Sequence, residues 1–221
     1  LEFDKVPPYE FAGYPVSKLV LVSILALTRL VSLPLLAVAR LRPGPALGLA
    51  PWSYFFLLGL GFMAIEVVLI QQLNLVVGAS SRTFVVVLLG LLLASGAGSH
   101  FSRRVPTWLP FVAVVAWLVL DVLWLDDLVR LTAALGPGAR ALVAALVVLP
   151  LGFFLGMPFP KGAMRVGERV DWGFAVNGIA GVLGSTAVLL LSMQAGFRVS
   201  LLACAGVYLL AGLLLNLRRG W

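Results

Sequence analysis

Residues 54–78, YFFLLGLGFMAIEVVLIQQLNLVVG, form an apolar run long enough to cross a lipid bilayer, and a carboxylate, Glu66, sits near its middle. An ionisable group at that depth costs several kcal/mol unless it is protonated, paired or wetted. Glu66 is therefore the first place to look for function. The rest of the chain has the same character: 62% of its residues are hydrophobic, only 11% are charged, and the mean hydropathy is +1.09. Charged residues make up about a quarter of a typical soluble domain, so this composition belongs to an integral membrane protein.

Runs of roughly 17–25 apolar residues bounded by charge, Pro or Gly define candidate spans. Seven result, at residues 17–40, 53–78, 83–101, 107–125, 140–157, 173–194 and 200–217. Most links between them are short, which makes sequence neighbours antiparallel and adjacent. The predicted fold is an all-α membrane protein, a compact bundle of about seven transmembrane helices. Residues 1–16 contain Pro7, Pro8 and Pro15 and read as an extended linker, the tail of a preceding domain, while residues 17–221 form the bundle.

A net charge of +7 would suggest nucleic acid in a soluble protein, but here the cations sit almost entirely between apolar runs and report topology instead. One side collects Arg40, Arg42, Arg103, Arg104, Lys161, Arg165, Arg169, Arg218 and Arg219. The other collects Lys5, Lys18, Arg82, Arg130, Arg140 and Arg198. The first side, richer in cations, is predicted cytoplasmic. That places the N-terminus outside and the C-terminus inside.

The chemistry the chain can support is narrowed by counting ligands. One histidine, His100, and one cysteine, Cys204, cannot build a multi-His metal site or a thiolate cluster, so neither metal nor cofactor is expected. His100 reads as an interfacial residue and Cys204 as a small apolar filler. No phosphate-binding loop, nucleophile elbow or dinucleotide fingerprint occurs. Asp126 and Asp127 read as solvated charges at a span end, and Asp121 as a group close enough to the outer interface to reach water.

What remains is an intramembrane polar set. Arg29 and Glu66 each lie roughly 18 Å along their spans at about 1.5 Å per residue, near the midplane, where adjacent antiparallel helices would pair them. The pair reads either as a proton- or substrate-coupled site or as a buried ion pair that fixes helix register. Gln71 and Asn74 share one side of the second span while Gln72 diverges, and these amides are either interhelical glue or part of a polar groove. In the sixth span Asn177, Gly178, Gly181, Gly184 and Ser185 recur at spacings of three and four, a packing stripe, and Gly98 belongs to a similar stripe in the third. Pro150, Pro158 and Pro160 interrupt the segment after the fifth span, where a broken helix would line a cavity or form a rigid exit.

Four ordered motifs carry a family likeness: GLGFMAIEVVLIQQLNLVVG, VVLLGLLLASGAGSHFSRR, LPLGFFLGMPFPKG and FAVNGIAGVLGSTAVLLLSMQAGF. Together they resemble the C-terminal membrane region of bacterial membrane-bound spermidine-synthase-like proteins, in which multi-pass helices accompany an aminopropyltransferase-type domain. The resemblance implies a bacterial inner-membrane location and a role beside a soluble domain or other membrane subunits. It transfers no catalytic residue, because the family's catalytic aspartates belong to the synthase domain and nothing in these 221 residues matches them. Three functions follow as expectations: a non-catalytic membrane domain that anchors a synthase-like protein, a subunit packed within a larger membrane complex, or a transporter-like module for a small polar or cationic solute with Glu66 and Arg29 at its midplane. The partners expected are the lipid bilayer and other membrane proteins, not nucleic acid.

Overall fold

The computed structural model describes residues 47–78 and 81–217, with residues 10, 11, 14, 15, 22, 23 and 26; at residues 10, 11, 14, 15, 125 and 126 only the backbone is described. The first expected span and Arg29 thus lie outside the described residues almost entirely. Near the N-terminus Glu10–Phe11 (β1) pairs antiparallel with Tyr14–Pro15 (β2). Everything else described is helical: α1 Leu49–Val77, α2 Ser81–Phe101, α3 Leu109–Thr132, α4 Pro137–Leu155, α5 Pro158–Val166 and α6 Val170–Leu217, with single 3-10 turns at Ser102–Arg104 and Gly167–Arg169. Three stretches are long and apolar enough to cross a membrane, Leu49–Val77, Ser81–Arg104 and the broken stretch Pro137–Leu217; Leu109–Trp124 is a shorter apolar helix.

Two helix pairs organise the bundle. α1 lies along α6, α2 lies along α4, and α3 bridges α4 and α6. Small residues make both crossings close. A Cβ placed on Gly184 of α6 would collide with the Leu60 carbonyl of α1, and one on Gly98 of α2 would collide with the Phe153 carbonyl of α4. In hydrocarbon the apolar effect between helices is weak, so such backbone approach supplies much of the packing energy. The core is then filled by Ile65, Leu69 and Leu73 of α1, Leu118 of α3, Leu151 of α4 and Leu201 of α6. Gly181 joins the contact beside Met63, but Gly178 does not: a Cβ there meets nothing within 4 Å among the described residues. Of the expected stripe, Asn177, Gly181 and Gly184 thus lie against α1 and Gly178 does not.

α6 is not one straight rod. At Gly196 the backbone takes φ 80° and ψ 173°, and Ser192 Oγ lies 3.0 Å from Ser200 Oγ. Eight residues of straight helix would separate those side chains by about 12 Å, so the chain folds back at Gly196. The expected spans 173–194 and 200–217 are its two limbs, and α1 packs between them, with Gly59 against Asn177 of the first limb and Gly61 against Tyr208 of the second.

Two expectations need correction. Pro150 does not end its helix, because α4 runs through it to Leu155. Proline costs the helix one hydrogen bond, but the face carrying Val148, Leu151 and Gly152 packs on α2 continuously past that point, and packing overrides the loss. The break comes at Gly156 and Met157, and Pro158 and Pro160 open α5 from its first turn, where a missing N–H is harmless. α3 also continues to Thr132, a full two turns beyond the expected end, carrying Asp127 and Arg130 with it.

Candidate functional site

The buried face of α1 repeats at three and four residues, Ile65, Val68, Leu69, Gln72, Leu73 and Val76. On α3 the same spacing selects Phe111, Val114, Leu118 and Asp121. Each stripe carries one polar member, and the helix crossing sets the two against each other. Gln72 Nε2 donates to Asp121 Oδ1 at 2.9 Å. Gln72 is 1% exposed and Asp121 8%. Asp121 therefore does not reach water, as its depth along α3 suggested. Its position on the buried stripe overrides its depth.

The hydrogen bond satisfies only half of the pair. Asp121 Oδ2 and Gln72 Oε1 are buried with no hydrogen-bond partner. The same holds for Gln71 Oε1 and Asn74 Oδ1, which lie on another side of α1. Unpaired buried polar atoms cost roughly 1–3 kcal/mol each and are rare in native structures. Glu66 is half-buried and makes no hydrogen bond or ion pair among the described residues. Its expected partner, Arg29, falls outside them. Among the described residues, Asp121 and Gln72 rather than Glu66 form the paired polar contact between helices.

A second polar constellation surrounds the helix break. Lys161 is 4% exposed, and its Nζ donates to the carbonyls of Ser102 at 2.7 Å and Val105 at 2.6 Å. Arg165 Nη1 donates to the Leu215 carbonyl. Helix C-termini present unpaired carbonyls and a partial negative charge, so a cation there satisfies both. The short α5 thus holds the ends of α2 and α6 together. Thr107 Oγ1 adds a hydrogen bond to Asn216 Oδ1 at 2.6 Å at the same end. From below, Tyr54 of α1 donates its hydroxyl to the Pro158 carbonyl at 2.6 Å. Removing that hydroxyl in Tyr54→Phe keeps the aromatic packing and is expected to cost about 1 kcal/mol, read as a lower midpoint in detergent-unfolding curves.

Beside the break lies a groove of about 590 Å³, bordered by Ser95, Ser99, Pro158, Pro160 and Asn177. It gathers the third-span small residues, the proline break and the sixth-span asparagine in one place. Arg130 and Arg198 border a different recess, of about 510 Å³, at the opposite end of the bundle near the Gly196 reversal.

His100 is exposed and stacks edge-on with Phe101, and Cys204 is buried in the core. Among the described residues no three His, Cys, Asp or Glu side chains come together as a metal-binding group. Comparison of the chain with protein families, with curated proteins and with solved structures gives no match.

Proposed function

We propose that this chain is a multi-pass membrane module of about seven spans, with its N-terminus outside and its C-terminus cytoplasmic, serving as the membrane domain of a spermidine-synthase-like protein in a bacterial inner membrane. It anchors that protein or packs beside other membrane subunits and does not itself carry the transfer chemistry. The observation that carries the membrane reading is the free face of α2: Phe84, Val85, Leu88, Leu89, Leu92 and Leu93 are all exposed. A continuous apolar face of that size is unfavourable in water and suits lipid. The four ordered motifs support the family reading, and the cations held at opposite ends of the bundle support the orientation.

The lone buried cysteine makes the orientation simple to test. In a Cys204→Ser background, Arg103→Cys should react with an impermeant thiol reagent only from the cytoplasmic side, and Arg130→Cys only from outside. The reverse pattern would overturn the orientation. The functional reading is tested by expressing residues 1–221 alone. The chain should insert and fold without aminopropyltransferase activity, and activity from this chain alone would refute it.

A second reading, a module that moves a small polar or cationic solute, is favoured by the groove at the helix break. Two serine hydroxyls and the Asn177 amide stand in its mostly apolar lining beside a broken helix, and solute sites in membrane bundles are built at such breaks.

A further inference from the structure

Asp121 and Gln72 are both more than nine-tenths buried, sit on different helices and share one hydrogen bond. The two atoms left over, Asp121 Oδ2 and Gln72 Oε1, are both acceptors when the carboxyl is ionised. Oδ2 belongs to the same carboxyl as the oxygen that already accepts, and Oε1 to the same amide as the nitrogen that already donates. A single proton on Oδ2 would turn that oxygen into a donor beside the amide that already bonds the same carboxyl. A bond from it to Oε1 would close a ring between acid and amide and satisfy both orphaned atoms at once.

We propose that Asp121 is a proton-binding site in the bundle interior, holding a proton on Oδ2 and donating it to Oε1 of Gln72. The proton comes from hydronium, which leaves as water, and no electron moves. No charge among the described residues competes for the position. The ionisable groups on the helices packed against α3 are Tyr54 and Glu66 of α1, Arg140 of α4, and Asp171, Arg198, Cys204 and Tyr208 of α6. None of them pairs with Asp121. Arg140 is engaged by the carbonyls of Leu135 and Ala133 at its own helix start. An ionised Asp121 would stand in this interior with one neutral amide for company, a poor exchange for its hydration. The inference rests on burial and hydrogen-bond complementarity, and it holds for an anchoring module and for a solute carrier alike.

The test is infrared difference spectroscopy on the purified protein in lipid nanodiscs, taken between mildly acidic and alkaline buffer. Wild type should show the carbonyl band of a protonated carboxyl that shifts in deuterated water. The band should be lost in Asp121→Asn and retained in Glu66→Gln. Gln72→Leu should shift it to higher frequency, because the acid loses its acceptor. Asp121→Asn should fold with wild-type stability, since an amide can make the same two hydrogen bonds to Gln72 that the protonated acid makes. Identical spectra for wild type and Asp121→Asn would overturn the proposal. So would collapse of Asp121→Asn, which would mean that the ionised carboxylate is what the fold needs, and an unshifted band in Gln72→Leu would remove the amide from the site.

Discussion

Lys161→Met is expected to destabilise the bundle by about 2–4 kcal/mol, measured as a shift in the equilibrium unfolding curve in mixed micelles. The methionine fills much of the volume of the lysine stem but removes the Nζ bonds to the carbonyls of Ser102 and Val105. Both belong to the turn that ends α2 and leads into α3, where carbonyls at a helix end depend on donors from outside the helix. A buried ammonium is costly to install, which is why the loss is smaller than two charged hydrogen bonds would suggest. The variant separates two roles for this lysine. If Lys161 only marked the cytoplasmic side by its charge, the unfolding curve would not move.

Gly184→Val is expected to be more damaging, at about 3 kcal/mol or more, and to reduce the folded fraction recovered from the membrane. Its Cβ meets a backbone carbonyl, that of Leu60, and backbone on a packed helix cannot step aside as a flexible side chain can. Gly178→Ala is the matched control. It sits on the same helix, yet its Cβ would enter open space among the described residues, so it should stay within about 1 kcal/mol of wild type on the stabilising side. Equal damage from the two substitutions would mean that α6 packs on α1 through a different face.

The apolar runs made the helices legible because the bilayer sets their length independently of tertiary packing. α2 begins within two residues of its expected start, and α4 within three. The misses have separate physical causes. α3 overran its expected end because Asp127 and Arg130 limit immersion in hydrocarbon, not helix formation. Pro150 looked like a breaker because its cost was weighed alone, without the packing of Val148 and Leu151 on either side.

The site was half legible. Lys161 was counted for its charge when its reach to two carbonyls is what matters. Gln71 and Asn74 drew attention as a shared face, while Gln72 is the amide that meets a partner. For Asp121, register with Phe111, Val114 and Leu118 is a stronger signal than depth along the span. That register was present in the sequence. What no single helix could reveal was which two stripes the fold would bring face to face.

The reversal at Gly196 has a bearing on how a topology of apolar helices would be inherited in a membrane. Because α6 turns back on itself, its first residues and its last lie at one end, as the contact of Arg165 with the Leu215 carbonyl requires. A returning pair changes the number of crossings by an even step. Its gain or loss leaves the sidedness of every other segment untouched, whereas loss of any single crossing would invert all that follows. Leu217 thus lies at the same end of the bundle as α5, and this holds whatever precedes Leu49.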